Sequence, residues 1–180
     1  MNDISSHFAP VHLLCLVSGI LAYMAYQAKG RRHMLSFKLA ADIIFAFYMY
    51  VLGGYAGMMS AIIACIGGLI QVSVPHAHMK RTLKIRIVMA LVLSAGGIYF
   101  LADHIIDTYP FASTIASRFI ELSSSTKVLR VGFMLTVLPW IVYNYANGFW
   151  FALAFNFFIM TVMALGLLKN ERRITKDAVP

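Results

Sequence analysis

The chain has 180 residues, of which 61% are hydrophobic and only 12% are charged. A soluble domain is about 45–50% apolar and about 25% charged, so this composition excludes an ordinary soluble enzyme, a disulfide scaffold and a disordered chain. One helical crossing takes about 20 residues, or about 25 with a short connection, which limits the chain to about seven crossings. The composition therefore predicts an all-α, polytopic membrane protein with little mass outside the bilayer.

Seven apolar segments follow one another along the chain, and we number them as spans 1 to 7. Their predicted ranges are 10–28, 35–53, 55–74, 85–102, 109–125, 128–146 and 148–168. Span 5 has the weakest pattern, because it contains Arg118 and Glu121. Tight turns at Gly53-Gly54 and Asn147-Gly148 join spans 2–3 and spans 6–7, and these residue types tolerate a left-handed backbone.

The net charge of +8 follows the connections between the spans. Of the 15 Lys and Arg residues, 14 lie in or beside the 1–2, 3–4 and 5–6 connections or in the tail 169–180, and the exception is Arg118. Because such residues stay on the cytoplasmic side, the pattern predicts an external N-terminus and a cytoplasmic C-terminus. Topology thus explains the positive charge, and we expect the lipid bilayer rather than a nucleic acid as the partner.

The sequences around the two tight turns resemble each other. The stretch Tyr48-Met49-Tyr50-Val51-Leu52-Gly53-Gly54-Tyr55 has a counterpart in Tyr143-Asn144-Tyr145-Ala146-Asn147-Gly148-Phe149. Gly54 aligns with Gly148 at an offset of 94 residues, although the tyrosines then need a one-residue slip. An aromatic belt at the membrane interface would explain the tyrosines alone. The shared layout predicts two parallel three-helix repeats, 10–74 and 109–168, joined by a linker helix at 85–102.

Two short motifs carry a resemblance to a known family. They are Leu52-Gly53-Gly54-Tyr55-Ala56-Gly57 after an aromatic span, and Trp140-Ile141-Val142-Tyr143-Asn144 before Gly148. With the length and layout, they resemble the YgjV-like bacterial inner membrane protein family, within the wider MtN3/SWEET-like set that includes PQ-loop proteins and nicotinamide riboside carriers. The resemblance implies a bacterial inner membrane location, a SWEET-like 3+1+3 fold and transport of a small molecule.

The resemblance also implies a place for the substrate. SWEET-like transporters bind sugar with a tryptophan in span 6 and an asparagine in span 7, and Trp140 and Asn156 occupy similar places. At an offset of 94, Ala46 and Ile62 stand at the matching positions of the first repeat, and span 1 lacks a proline–glutamine motif. The sequence therefore predicts the fold of this set without its symmetric sugar site.

Polar and aromatic residues of spans 2, 6 and 7 form the candidate substrate site. The site comprises Trp140, Asn144, Asn156, Tyr48 and Tyr143. The asparagines offer donors and acceptors to a polar solute, and Trp140 offers a flat face to a ring. The alternative for each is structural, with asparagines that bond neighbouring helices and a tryptophan that fills the core.

Three charged residues lie inside the predicted spans. Asp42 and Arg118 each lie about seven residues, or about 10 Å, from the cytoplasmic end, and Glu121 lies one turn from Arg118 on the same helix face. A charge that faces lipid is costly, so we expect Arg118 to be neutralised by Asp42 across the repeat interface, by Glu121, or by both. Such a pair is either a fixed link between the halves or a gate that breaks during transport.

No residue pattern predicts catalysis or a resident metal. His76 and His78 lie in a basic loop without a nearby carboxylate or cysteine, so we expect neither a metal nor another cofactor. The sequence favours a facilitator or secondary transporter of a small polar solute, such as a sugar, a nucleoside or a vitamin-like molecule, that works by alternating access. The alternative is a non-transporting membrane scaffold or accessory subunit with the same fold. A homo-oligomer is compatible with either function.

Overall fold

The apolar stretches fold as helices, because a helix satisfies its own backbone N–H and C=O groups where no water is present. The computed structural model describes residues 10–27, 31–74, 79–120 and 126–177. Within these residues the chain forms seven α-helices and one short 3₁₀ helix, Ile105–Thr108, and no strand. The α-helices are α1 (Val11–Gln27), α2 (Arg31–Val51), α3 (Tyr55–Ser73), α4 (Met79–Leu101), α5 (Tyr109–Ile120), α6 (Thr126–Ala146) and α7 (Trp150–Asp177).

The seven helices follow the order of the predicted spans, which confirms the all-α class. Helix α4 begins at Met79 rather than at 85, so Arg86 lies inside a helix and is buried instead of lying in a loop. Helix α7 continues to Asp177, past the predicted start of the tail at 169. Helix α5 is described as far as Ile120, so the rest of predicted span 5, with Glu121, lies outside the described residues.

The helices differ in how clearly they suit a bilayer. Among the described residues, α3 and the 82–101 part of α4 are long and apolar enough to cross a membrane by length and composition. Shorter apolar helices run over Val11–Ala25, Val131–Ala146 and Trp150–Leu165. Helix α2 also carries the charged pair Lys38 and Asp42.

Helix neighbours form two sets of three that meet along two seams. Helix α2 packs between α1 and α3, and α6 packs between α5 and α7. The sets meet where α3 contacts α5, which we call the α3/α5 seam, and where α7 contacts α1, which we call the α1/α7 seam. Helix α4 packs against both α3 and α5 and therefore covers the first seam.

The two tight turns have the same backbone geometry at positions 95 residues apart. Gly53 and Gly148 have φ angles of 76° and 69°, the left-handed conformation that ends a helix. In each turn the third amide after the helix returns to the helix, with Gly54 N–H donating to Met49 O and Phe149 N–H donating to Asn144 O, both at 2.9 Å. Gly53 therefore corresponds to Gly148, and the alignment of Gly54 with Gly148 is wrong by one residue.

The corrected offset of 95 also relates two hydrogen bonds between helices. The Ser18 hydroxyl of α1 donates to the Ala41 carbonyl of α2 at 2.9 Å. The Ser113 hydroxyl of α5 donates to the Thr136 carbonyl of α6 at 2.6 Å, and both of its atoms come 95 residues later. We call residues related by this offset counterparts. The paired tyrosines are counterparts without any slip, and the counterpart of Trp140 is Phe45.

Replacing either turn glycine by alanine tests these geometries. We expect Gly53→Ala and Gly148→Ala each to lower the free energy of unfolding by about 1–2 kcal/mol, because a Cβ disfavours a left-handed backbone. No atom lies within 4 Å of a Cβ at Gly53, so the cost there is one of backbone conformation. Thermal unfolding of the purified protein in detergent measures the effect.

Gly96→Ala is the matched control, because Gly96 lies inside α4 with open space around it. We expect this change to be neutral or stabilising, since alanine favours a helix by up to about 1 kcal/mol over glycine. Equal melting temperatures for all three variants would contradict the turn geometry.

Candidate functional site

Two buried tyrosines each cross from one set of helices to the other. Tyr143 of α6 is 1% exposed, and its hydroxyl accepts a hydrogen bond of 3.3 Å from the Gly57 N–H of α3. Tyr48 of α2 is fully buried, and its hydroxyl lies at the backbone amide of Ala152 in α7. Tyr48 and Tyr143 are counterparts, as are Gly57 and Ala152. The two contacts are therefore reciprocal, and they bring predicted residues Tyr48 and Tyr143 into one central region.

Aromatic rings fill the space between the tyrosines. Trp140 contacts its own counterpart Phe45 edge to face, with ring centroids 5.5 Å apart, and its ring lies 6.0 Å from that of Tyr143. A methyl group on Gly54 would lie 2.9 Å from the Phe149 ring, so the glycine makes room for this ring. Because residues and their counterparts meet here, this region lies midway between the two sets of helices.

Two buried asparagines near these aromatic residues have side-chain polar atoms that make no hydrogen bond. Asn144 follows Tyr143 in α6 and is fully buried, and neither its Oδ1 nor its Nδ2 makes a hydrogen bond. Asn156 of α7 is 7% exposed and leaves Nδ2 without a partner. It lies one helical turn after Ala152, and so on the same face of α7 as the residue that meets Tyr48. An unmet buried amide costs about 1–3 kcal/mol and requires an explanation.

Among the described residues, the Asp42 side chain has a partner within its own helix. The Asp42 carboxylate accepts a hydrogen bond from Lys38 Nζ at 2.6 Å, within α2. These two residues are one turn apart, so the lysine reaches the carboxylate without crossing to another helix. Arg118 is 4% exposed and packs against α3, where a methyl group on Gly67 would lie 3.3 Å from Nη1. The third member of the predicted set, Glu121, lies outside the described residues.

A polar contact at the α3/α5 seam was not predicted. The Ser60 hydroxyl is fully buried, donates to the Pro110 carbonyl at 2.7 Å and lies 2.6 Å from Oγ1 of Thr114. At the α1/α7 seam the counterparts of Ser60 and Thr114 are Phe155 and Gly19, and the Phe155 ring packs over Gly19. Hydroxyls in otherwise apolar segments are the sequence feature that identifies such contacts.

His12 of α1 is a further residue near the candidate site, and it was not predicted as part of it. Its Nδ1 lies 3.4 Å from the Tyr48 hydroxyl, and its ring stacks on Phe151 with centroids 4.3 Å apart. No three His, Cys, Asp or Glu residues of the described part of the chain are grouped as metal ligands. The arrangement therefore links His12 to an aromatic and hydroxyl cluster.

The two grooves that the structure describes lie away from the candidate site. One runs along the α1/α7 seam, and the other lies between α6 and α7, bordered by Tyr145 and Trp150. Neither is lined by Trp140, Asn144, Asn156, Tyr48 or Tyr143. In this conformation the candidate site is thus closed by its own aromatic side chains.

Comparison with known families decides the kind of membrane that this bundle occupies. The Imp-YgjV family, described as a bacterial inner membrane protein, matches residues 11–174, which is almost the whole chain. The chain belongs to the Imp-YgjV family. No curated protein and no solved structure matches it. As an Imp-YgjV protein, the bundle has lipid rather than water around its exposed apolar residues.

In an Imp-YgjV bundle surrounded by lipid, the unmet amide of Asn144 makes a clear prediction. We expect Asn144→Leu to raise the free energy of unfolding by about 1 kcal/mol, because it removes a buried polar group that makes no hydrogen bond. For a chain of this size, that gain raises the melting temperature by about 2–4 °C. Thermal unfolding in detergent measures the shift.

Asn147→Leu is the matched control in the same helix-ending turn. The Asn147 Nδ2 donates to the Tyr143 carbonyl at 2.9 Å, so its loss should lower stability by about 1 kcal/mol. A fall in melting temperature for Asn144→Leu would show that the Asn144 amide has a structural partner within the fold.

Proposed function

We propose that the protein carries a small polar solute, such as a sugar, a nucleoside or a vitamin-like molecule, across the inner membrane by alternating access. The observation that carries this proposal is the Asn144 amide, which is fully buried and has no hydrogen-bond partner. A cost of this kind persists where a group is kept for binding rather than for folding. The adjacent aromatic residues Trp140 and Tyr143 offer flat faces to a ring of the solute.

The proposed architecture is two parallel three-helix units, 10–74 and 109–168, joined by a linker helix at 85–102, as in SWEET-like carriers. Three pairs of counterpart contacts at the same offset support it, namely the glycine turns, the Ser18 and Ser113 bonds, and the reciprocal tyrosines. The helix neighbours support it as well, because α3 meets α5 as α7 meets α1. In our proposal the N-terminus is external and the C-terminus cytoplasmic, which follows the basic connections.

The difference between the two seams suggests how the units move. Ser60 ties α3 to α5 by hydrogen bonds, and α4 packs across the same seam. The α1/α7 seam has the Phe155 ring over Gly19 at the corresponding place. We therefore assign the α3/α5 seam as the pivot and the α1/α7 seam as the side that parts. The described conformation is closed, and Asp42 and Arg118 act on the cytoplasmic side.

A non-transporting scaffold or accessory subunit is the second candidate function. The observation that favours it is the dense aromatic packing of Phe45, Trp140 and Tyr143 between the units. In a scaffold this packing is permanent, whereas in a carrier it must open to admit the solute. Access to Asn144 therefore separates the two functions without knowledge of the solute.

Cysteine labelling from the two sides of the membrane measures that access. In a background of Cys15→Ala and Cys65→Ala, we expect Asn144→Cys in proteoliposomes to react with a membrane-impermeant methanethiosulfonate reagent added to either side. A carrier exposes the site alternately to each compartment, so both additions should label this cysteine. Mass spectrometry of the intact protein quantifies the label.

Ser94→Cys is the control, because Ser94 is also fully buried but lies in α4, away from the proposed path. We expect it to remain unlabelled from both sides. If Asn144→Cys were as unreactive as Ser94→Cys, the carrier proposal would fail and the scaffold would be favoured. Labelled sites would then justify a thermal-shift screen of sugars, nucleosides and vitamins, followed by uptake measurements with any solute that stabilises the protein.

A further inference from the structure

An apolar groove of about 510 Å³ runs along the α1/α7 seam. Its walls are side chains of α1 and α7, and all of them are apolar or aromatic apart from the Cys15 thiol and the Tyr23 hydroxyl. Large side chains of the groove are exposed, with Leu16 58% and Phe158 47% exposed. The groove lies on the outside of the bundle, where the two sets of helices meet for the second time.

The counterparts of these groove residues are buried at the α3/α5 seam. Leu16 corresponds to Phe111, which is fully buried, and Phe158 corresponds to Ile63, which is 1% exposed. Ala154 corresponds to Met59, which packs against the same buried cluster as Phe111 and Ile63. The same positions are therefore covered at one seam and open at the other.

Helix α4 covers these counterpart residues at the α3/α5 seam. Its Ala90 and Leu93 belong to the cluster that contains Phe111 and Ile63. Its Gly97 lies directly over Phe111, since a methyl group there would be 2.5 Å from the ring and 3.5 Å from Met59. At these three positions, the groove on α1 and α7 corresponds to the surface on which α4 sits.

We propose that this groove is a docking site for one transmembrane helix of another polypeptide, seated on α1 and α7 as α4 is seated on α3 and α5. The partner helix is apolar, runs parallel to α4 and presents a glycine or alanine to Leu16, as α4 presents Gly97 to Phe111. Helices in lipid associate through such small residues, because these let the backbones approach closely. A second copy of this chain does not offer this face, since the small-residue face of its own α4 is already seated. The seated helix packs on both α1 and α7, and the proposal does not depend on the transport function.

A synthetic peptide of residues 79–101, the α4 sequence itself, is the probe for this site. We expect energy transfer between the donor-labelled peptide and the acceptor-labelled protein in phospholipid vesicles, saturating with peptide and persisting as the lipid-to-protein ratio is raised. A peptide with Gly97→Leu should bind about tenfold more weakly or worse, because the leucine meets Leu16 in a packed interface. This comparison uses the unmodified protein, so it does not depend on the folding of any variant.

Two protein variants locate the contact. Ala154→Phe fills the groove and should reduce peptide binding to the level of random proximity. Ala112→Phe places the same side chain on an exposed position of α5 outside the groove and should leave binding unchanged.

Three results would overturn the proposal. If the peptide did not bind, or if neither Gly97→Leu in the peptide nor Ala154→Phe in the protein weakened its binding, we would conclude that lipid acyl chains fill the groove. Energy transfer between two labelled populations of the full chain that disappears with Ala154→Phe would assign the groove to a second copy instead. Equal loss of peptide binding in Ala112→Phe would place the contact elsewhere on the bundle.

Discussion

Helices surrounded by lipid gain nothing by hiding apolar surface from it, so this bundle depends on close approach and on hydrogen bonds between helices. The reciprocal tyrosine contacts show both requirements at once. Gly57 and Ala152 are small enough for a neighbouring ring to reach the helix backbone, where Tyr143 and Tyr48 place their hydroxyls. A larger side chain at Gly57 would meet both Tyr143 and Trp140 within 3.4 Å. The centre of the bundle is thus set by two small residues and two hydroxyls rather than by the volume of its apolar side chains.

The same offset that relates the tyrosines also shows where the two sets of helices have diverged. The Ser18 and Ser113 bonds are alike, so the contact of the first helix with the second is equivalent in both sets. The two seams differ. At the α3/α5 seam, Ser60 and Thr114 form a hydrogen bond with each other. At the α1/α7 seam, their counterparts are Phe155 and Gly19, and the Phe155 ring packs against the backbone at Gly19. One seam is therefore hydrogen-bonded and covered by α4, and the other is apolar and open on its outer side. This asymmetry is the reason why we propose the α3/α5 seam as the pivot and the α1/α7 seam as the side that parts.

Hydrophobic runs and turn residues were enough to predict the helices and their order, because each span must satisfy its own backbone. The alignment of the two turns was harder to predict from sequence. Gly54 and Gly148 align when only residue types are compared, whereas the residues with a left-handed backbone are Gly53 and Gly148. The partner of Asp42 was hard to predict for a related reason. A sequence shows that Asp42 and Arg118 lie at similar depth, but Lys38 is one turn from Asp42 and reaches it first.

The candidate site is the part of the molecule that sequence and packing explain least, and the comparison of counterparts shows why. Asn144 and its counterpart Met49 are both fully buried, so this place in the bundle accepts an apolar side chain without loss of packing. Met49 lies within the central cluster with Tyr48 and Ala152. The fold therefore does not require an amide at position 144. The amide of Asn144 makes no hydrogen bond that would compensate for the cost of its burial. Neither packing nor hydrogen bonding among the described residues accounts for the amide of Asn144, and the proposed carrier function rests on this observation.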